Sequence, residues 1–119
     1  MVAEDEPVNM LLISGVLGKM GFRVIKATTG NEVIKLLEVH DPMIIFMDVN
    51  MPEMDGFCAT RAIRALGNPQ SNIPIVALTA DAMKEDMERC LEAGMNHFIS
   101  KPFRLEEIEQ VLKQYMSLA

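Results

Sequence analysis

The stretch IIFMDVNMPEMDG, residues 44–56, joins an apolar run to a group of acidic residues. Ile44 to Met47 are four consecutive apolar residues, which is typical of a strand buried on both faces. Asp48 follows directly, and within eight more residues come Pro52, Glu53, Asp55 and Gly56. A buried charge is costly unless it is paired or binds a metal. The stretch therefore predicts a buried strand that carries an acid at the edge of the core.

Similar apolar runs alternate with segments of helical periodicity along the whole chain. Strands without polar alternation, each followed by a helix, indicate a parallel sheet covered by helices on both faces. The predicted strands are 1–3, 22–27, 43–47, 75–78 and 97–100, and the predicted helices are 7–20, 28–40, 56–66, 84–93 and 105–117. The residues assigned to apolar helix faces include Val8, Leu11, Leu12, Val16, Met20, Cys58, Ile63, Leu66, Met83, Met87 and Leu91.

The overall composition indicates one globular domain covering residues 1–119. Half of the 119 residues are hydrophobic and 24% are charged. The net charge of −6 gives no basic surface of the kind that binds nucleic acid. The chain shows no signal peptide and no apolar run long enough to span a membrane, so a cytoplasmic location is expected. Its two cysteines form no CxxC motif, which disfavours a disulfide framework or a zinc site.

Polar residues follow the predicted strands at the edge of the sheet where parallel strands end. Glu4 and Asp5 follow the first strand, Asp48 the third, Thr79 the fourth and Lys101 the fifth. Ligands of such sheets bind outside the carboxyl ends of the strands. Each residue alone has an ordinary explanation, such as a helix N-cap for Glu4 or Asp5 and a surface position for Lys101. Together they predict a single site.

Three acids at one edge favour a bound cation. Two like charges 4 Å apart repel by about 4 kcal/mol at an effective dielectric constant of 20. Mg²⁺ takes hard oxygen ligands and commonly binds one or two carboxylates together with phosphate oxygens. A carboxylate in such a site can form an aspartyl phosphate. Asp48 follows the most central apolar strand and is the best nucleophile candidate, Asp5 is the expected direct ligand, and Glu4 is expected to act through water.

Four segments make the chain resemble a two-component response-regulator receiver domain over essentially its whole length. They are AEDEPVN (3–9), MDVNMPEMDG (47–56), ALTA (77–80) and LEAGMNHFISKPF (91–103). An acidic pair, Asp-x-x-Met-Pro-x-Met-Asp-Gly, Thr-Ala and Lys-Pro in this order form a specific combination. The resemblance implies a flavodoxin-like, doubly wound sheet of five parallel strands in the order 2-1-3-4-5, with helices on both faces.

The resemblance also implies a role for each residue of the site. Asp48 would accept a phosphoryl group from a phosphohistidine on a histidine kinase or a histidine phosphotransfer protein. Lys101 would pair with the phosphoryl oxygens. Mg²⁺, or Mn²⁺ in its place, would be held by Glu4, Asp5, Asp48 and the backbone carbonyl of Asn50.

Further residues are implied in switching and in shaping the site. Thr79 is the expected switch hydroxyl, and Phe98 stands where the family has an aromatic switch residue, although core packing alone would also explain an aromatic side chain there. Pro52 and Gly56 would shape the loop beside Asp48. The Lys101–Pro102 peptide would be cis, which costs little only before proline.

Two departures from the family pattern affect the expectations. Glu4 replaces the more frequent Asp of the acidic pair, so metal binding is expected to be retained with altered geometry. Only three residues precede Glu4, so the first strand is expected to be truncated at its N-terminus. The segment 68–103 is most similar to receivers of hybrid sensor histidine kinases, and an excised receiver of this kind is the main interpretation.

Three other interpretations are weighed against it. One is a stand-alone single-domain response regulator. Another is a hydrolase that uses Asp48 on the same fold, but such enzymes need a second Asp two residues later, where this chain has Asn50. A pseudo-receiver that only binds a partner is disfavoured by the intact Asp48, Thr79 and Lys101. No turnover of external substrates, no direct nucleic-acid contact and no membrane contact are expected, and a phosphorylation-dependent dimer is left open.

Overall fold

The computed structural model of the chain describes residues 1–51, 53–80, 84–101 and 103–116. These residues form strands that alternate with helices. The strands are β1 (Val2–Ala3), β2 (Lys26–Ala27), β3 (Ile45–Asp48), β4 (Ile75–Thr79) and β5 (His97–Ser100). The helices are α1 (Pro7–Lys19), α2 (Gly30–Leu37), α3 (Gly56–Arg64), α4 (Lys84–Ala93) and α5 (Leu105–Met116), and a short 3₁₀ helix covers Pro69–Asn72.

The five strands form one parallel sheet in the order β2-β1-β3-β4-β5, which confirms the predicted fold. Ala3 pairs with Met47, and Thr79 pairs with Ser100. The residues that immediately follow, or end, these strands therefore meet at one edge of the sheet. This register places Glu4, Asp48 and Lys101 next to one another before any side chain is considered.

The strands β1, β3, β4 and β5 supply side chains to two apolar layers, because successive residues of a strand point to opposite faces. Ile45 and Met47 of β3 lie in the layer that contains residues of α2, α3 and α4. Phe46, between them, lies in the other layer, with residues of α1 and α5. This double burial explains why the strands read as unbroken apolar runs.

The predicted apolar face of α1 is only partly correct, because Val16 and Met20 pack against the core but the other three predicted residues are exposed. Met10, Ile13 and Leu17 are the buried residues, whereas Val8 is 70% exposed and Leu11 is 72% exposed. The helix is apolar around much of its circumference, so helical spacing alone could not select the face that packs on the sheet. The consequence is an exposed apolar surface on α1, formed by Val8, Leu11 and Leu12.

The faces of α3 and α4 also differ from the prediction at particular positions. On α3, Ile63 is buried as predicted, whereas Cys58 and Leu66 are exposed and Ala59 is buried instead. On α4, Leu91 is exposed, and the buried residues include Cys90 and Ala93. Both helices also turn small side chains such as Ala59 and Ala93 toward the core, and a search for large apolar residues does not find these positions. Met83 lies outside the described residues.

The first strand is short, and its start is buried in the sheet. The Met1 ammonium group donates a hydrogen bond to the carbonyl oxygen of Ile44 at 2.8 Å. Burial lowers the pKa of this amine to about 6. A cavity of about 360 Å³ lies beside it, lined in part by Val24 and Met43. The expectation that β1 is truncated stays a prediction.

No helix within the described ranges is both long enough and apolar enough to cross a lipid bilayer.

Candidate functional site

Asp48 is the last residue of β3 and holds a buried carboxylate at the sheet edge. The residue is only 2% exposed. Its Oδ2 accepts a hydrogen bond from Lys101 Nζ at 3.2 Å, and its Oδ1 accepts one from the backbone N–H of Asn50 at 3.0 Å. Both oxygens are thereby held in place, one by a distant lysine and one by the loop that follows β3.

Lys101 lies between two carboxylates. Its Nζ is 3.2 Å from Asp48 Oδ2 and 3.4 Å from Glu4 Oε2, and 20% of its side chain is exposed. Its backbone N–H donates to the carbonyl oxygen of Thr79 at 2.7 Å, so the end of β4 fixes where this lysine leaves the sheet. One ammonium group therefore faces two acids at the edge formed by β1, β3 and β5.

Glu4 is fully buried and is only partly satisfied by its neighbours. Its Oε1 accepts a hydrogen bond from the backbone N–H of Glu6 at 3.2 Å. Its Oε2 is near Lys101 but has no hydrogen-bond partner among the described residues. The pKa of Glu4 is raised to about 7, mainly by burial and to a smaller extent by the side-chain interaction with Asp48 and the repulsion of its charge. The positive charge of Lys101 acts in the opposite direction. A buried acid of this kind gains from a cation placed beside it.

Three carboxylates converge on one space. One oxygen from each of Glu4, Asp5 and Asp48 lies within 4.8 Å of the other two, with Asp5 exposed and the other two buried. This set of hard oxygen donors fits a small divalent cation such as Mg²⁺. The buried Glu4 oxygen without a hydrogen bond points to the same fit, since a buried anion is normally paired or bound to metal.

The two residues predicted to switch lie on β4 and β5. Thr79 ends β4, is 4% exposed, and pairs in register with Ser100, the residue before Lys101. Phe98 is half-buried in β5, packs against the layer under α4, and stacks on His97 with ring centroids 5.9 Å apart. The structure brings Thr79 to the edge that holds Asp48, while the switching roles stay predictions.

Gly56 allows the loop after β3 to fold back onto the site. A Cβ at this position would lie 2.4 Å from the carbonyl oxygen of Asp48 and 2.8 Å from Val49 Cα. The Gly56 N–H also donates to the Val49 carbonyl oxygen at 3.1 Å. A residue with a side chain could not start α3 at this place. Pro52 and Pro102, also predicted to shape the site, lie outside the described residues.

Comparison with known proteins now defines the family. A family model for the response regulator receiver domain matches residues 1–113. The chain belongs to this family. Sensor histidine kinase RcsC of Escherichia coli K12 is 38% identical to the receiver over 115 residues, which are 97% of this chain and 12% of that protein. The receiver thus spans only about an eighth of the length of this curated relative.

Solved structures agree with the family and the fold. One similar structure is the receiver domain of sensor histidine kinase PA1611 from Pseudomonas aeruginosa PAO1, which was crystallised with a magnesium ion coordinated in its active-site cleft. It is 38% identical to this chain with a TM-score of 0.89, and the match covers 98% of this chain and 95% of that one. The receiver domain of Saccharomyces cerevisiae Ssk1, crystallised with the histidine phosphotransfer protein Ypd1, has a TM-score of 0.89 at 24% identity, covering 96% and 85%. At 24% identity, the similarity to Ssk1 shows only that the two chains share a fold.

Two acids of the receiver serve as helix caps. Glu6, not Glu4 or Asp5, caps α1, since its Oε1 accepts from the Val8 N–H at 3.1 Å. Asp55 caps α3 by accepting from the Cys58 N–H at 2.8 Å. Such caps satisfy N–H groups that the first turn of a helix leaves without partners. These acids therefore belong to the helices, not to the three-acid cluster.

Arg64 is a structural residue of the receiver that the sequence pattern does not reveal. Its guanidinium donates to the carbonyl oxygens of Gly94, Ser71 and Ile73 and to Asn96 Oδ1, at 2.8–2.9 Å. These bonds join the end of α3 to the turns before β4 and β5. Three of the four acceptors are backbone carbonyls, which every residue type carries, so no motif could have indicated them.

Proposed function

We propose that this receiver is a phosphoacceptor module in which Asp48 takes a phosphoryl group from a phosphohistidine of a partner protein, in a reaction that depends on Mg²⁺. The observation that carries the proposal is the Asp48 carboxylate itself. It is 2% exposed, 3.2 Å from the Lys101 ammonium group, and clustered with two other acids. A structural acid has no need of such surroundings, whereas a phosphoryl acceptor uses every part of them.

The proposed step transfers the phosphoryl group between two nucleophiles. A carboxylate oxygen of Asp48 forms a bond to phosphorus while the P–N bond of phosphohistidine breaks, and the imidazole nitrogen keeps the electron pair. The Asn50 N–H holds Asp48 Oδ1, which limits rotation of the carboxylate. The Lys101 ammonium group is placed to pair with the oxygens of the transferred group, whose charge is what the protein must offset.

The same cluster is the proposed metal site. Asp5 and Asp48 would bind the ion with the backbone carbonyl of Asn50, and Glu4 would contribute through water, with Mn²⁺ able to replace Mg²⁺. When bound, the ion offsets the charge of the gathered acids and of the phosphoryl oxygens. Lys101 faces two of these carboxylates, so its single positive charge leaves the cluster of three acids negative.

Phosphorylation is proposed to change a partner-binding face. An aspartyl phosphate brings close to one additional negative charge to the buried edge, since it carries about two in place of the one on the carboxylate. The Thr79 hydroxyl and Lys101 are the groups proposed to bond to it. Because Thr79 and Phe98 lie on neighbouring strands, movement at Thr79 would change the space that Phe98 occupies. The face formed by α4, β5 and α5 is therefore the proposed output.

The proposed phosphodonor is a histidine kinase or a histidine phosphotransfer protein. The exposed apolar surface of α1 supports this, since Val8 and Leu11 are 70% and 72% exposed on a helix that starts three residues after Glu4. An apolar helix face of this kind is suited to pack against helices of a partner. A receiver within a longer hybrid sensor kinase is the proposed context, because this chain is 38% identical to the matching region of one sensor histidine kinase and to the receiver domain of another.

A stand-alone regulator is the alternative context, and hydrolysis of external phosphates is the alternative chemistry. Asn50 stands where a hydrolase of this type would need a second acid, and it is the backbone N–H of Asn50 that contacts Asp48. The site thus supplies a nucleophile but no acid at that position to complete turnover. Location in the cytoplasm and phosphorylation-dependent dimerisation stay predictions.

Intact-mass measurement tests the proposal. The protein is treated with a small phosphodonor, such as acetyl phosphate, with Mg²⁺ or with EDTA. We expect one added phosphoryl group in the presence of Mg²⁺, little with EDTA, and none for Asp48→Asn. Asp55→Asn is the matched control, since it changes a nearby acid outside the cluster. Equal modification of wild type and Asp48→Asn would refute the assignment of Asp48 as the phosphoacceptor.

A further inference from the structure

Gly30, the first residue of α2, touches the loop that joins β3 to α3. Gly30 is buried, and a Cβ built on it would lie 2.4 Å from the carbonyl oxygen of Met54 and 2.8 Å from Met54 Cβ. These separations are far inside ordinary van der Waals contact. The start of α2 can approach Met54 this closely only because residue 30 has no side chain.

The start of α2 is itself held firmly in place. Thr29 caps the helix, with its Oγ1 accepting from the Glu32 N–H at 3.1 Å and its carbonyl oxygen accepting from the Val33 N–H at 3.2 Å. Val33 and Leu37 anchor the helix in the core. A side chain added at position 30 would therefore displace Met54 more readily than it would displace α2.

The β3–α3 loop has a shape that its own sequence does not favour. Glu53, the residue before Met54, has a φ of 68°, which is the left-handed region that non-glycine residues seldom adopt. Such conformations persist where the surrounding structure fixes them, and they cluster near functional sites. Gly56 fixes the far end of the loop against Asp48, and the Gly30–Met54 contact fixes the middle.

The loop carries a direct contact to the nucleophile. It begins at Asp48, and the Asn50 N–H bonds to Asp48 Oδ1 at 3.0 Å. The Asn50 carbonyl is also the proposed backbone ligand of the metal ion. A shift of Met54 would be passed along a few residues of backbone to Asn50, and so to the carboxylate.

We propose that Gly30 is a positioning residue for the Asp48 site, because the absence of a side chain lets α2 seat Met54 and so sets the loop geometry at Asn50. This inference rests on the proposed function. Gly30 is outside the three-acid cluster and acts only through the loop. Helix α2 would then influence metal binding and phosphoryl transfer although it supplies none of the three acids of the cluster.

The test is Gly30→Ala, with two readouts taken where all variants are folded. Mg²⁺ affinity is measured by calorimetry, and the rate of adduct formation with acetyl phosphate is measured by intact mass at saturating Mg²⁺. We expect the dissociation constant to rise several-fold and the rate to fall about 10-fold or more, since small displacements of reacting groups cost that much. The ¹⁵N–¹H resonance of Asn50 should shift with them.

Two controls separate positioning from stability. Leu37→Val shortens a buried side chain at the last residue of α2, so it lowers the melting temperature and leaves the Gly30–Met54 contact unaltered in its atoms. Gly15→Ala adds a methyl group where nothing lies within 4 Å. Both should keep the wild-type affinity and rate within about two-fold. If Gly30→Ala lowers the melting temperature but keeps both readouts as these controls do, Gly30 is merely structural and the inference is overturned.

A second variant decides the matter if Gly30→Ala does not fold. Met54→Ala adds no bulk and removes the side chain beyond Cβ, including the Cγ that lies 2.9 Å from a Cβ built at position 30 and the part that packs against the core. Without this packing Met54 is seated less firmly against α2, so we expect weaker Mg²⁺ binding and slower modification. Unchanged values would overturn the inference. Wild type separates this outcome from failure of the proposed function: no adduct on wild type refutes the function, whereas a normal adduct on wild type and on Met54→Ala refutes only the role of the contact.

Discussion

Replacing Glu4 with Gln should stabilise the metal-free receiver at alkaline pH and weaken its binding of Mg²⁺. Glu4 is fully buried, and burial together with Asp48 raises its pKa from 4.5 to about 7. Between these two values the folded protein holds a proton that the unfolded chain has released. The contribution of Glu4 to stability is therefore complete below pH 4.5 and is lost as pH rises to 7.

The size of the effect follows from the pKa change. A rise from 4.5 to about 7 corresponds to up to about 3 kcal/mol. Gln has nearly the same shape and carries no charge at any pH, so the stability of wild type minus that of Glu4→Gln should fall by this amount between pH 4.5 and 8. At roughly 4 °C per kcal/mol, the melting temperature of the variant should exceed that of wild type by about 10 °C at pH 8.

The assay is thermal unfolding across this pH range, in EDTA and in excess Mg²⁺. Ligand binding stabilises the folded state according to its affinity. We expect Mg²⁺ to raise the melting temperature of wild type more than that of Glu4→Gln, with the affinity of the variant about 10-fold lower. Glu92→Gln, at an exposed position of α4, is the control for the substitution. A difference between wild type and Glu4→Gln that is constant from pH 5 to 8 would refute the reasoning.

Three further predictions concern α1, Gly56 and the amino terminus. Leu11→Glu should slow transfer from a phosphorylated histidine phosphotransfer protein at least 10-fold and leave modification by acetyl phosphate unchanged. Val39→Glu, at a similarly exposed apolar residue in the turn after α2, should change neither rate, and an equal slowing of transfer by both variants would contradict the α1 docking face. Gly56→Ala should destabilise the protein by about 2 kcal/mol or more in chemical denaturation, because its methyl group meets the Asp48 carbonyl, and an unchanged midpoint would contradict that contact. The Met1 amine has a pKa of about 6 in the folded protein and 8.0 in the unfolded chain, so between these values only the unfolded chain holds the proton and stability rises with pH. Joining Ile-Val in front of Met1 should remove this rise. Calorimetric scans that show the same pH dependence of stability with and without the dipeptide would contradict the burial of this amine.

The sequence predicted the fold and the meeting of several polar residues at one sheet edge, because both depend on local signals in the sequence. Apolar runs such as 44–47 indicated parallel strands, and the edge rule gathered Asp48, Thr79 and Lys101 from distant segments. The strand order came from the resemblance to receivers, since periodicity does not state which strands are neighbours. Where the structure describes these residues, it brings them to one edge as expected.

What the sequence could not predict depends on contacts without a residue signature. The prediction for α1 was wrong at Val8, Leu11 and Leu12, because apolar residues occur around most of the circumference of that helix. The bonds of Arg64 and the approach of Gly30 to Met54 involve backbone carbonyls, whose positions emerge only once helices pack on the sheet. The raised pKa of Glu4 results mainly from its complete burial, and the acidic sequence of residues 4–6 gives no indication that Glu4 is buried.

The central claim is that Asp48 itself becomes the acyl phosphate. The most direct measurement is reductive trapping: the protein is treated with Mg²⁺ and acetyl phosphate, reduced with borohydride, digested and sequenced by tandem mass spectrometry. Borohydride reduces an aspartyl phosphate to homoserine, so the account predicts homoserine at position 48 and unmodified Asp5 and Asp55. Homoserine at another acidic position, or none anywhere while the protein has gained a phosphoryl group, would contradict it.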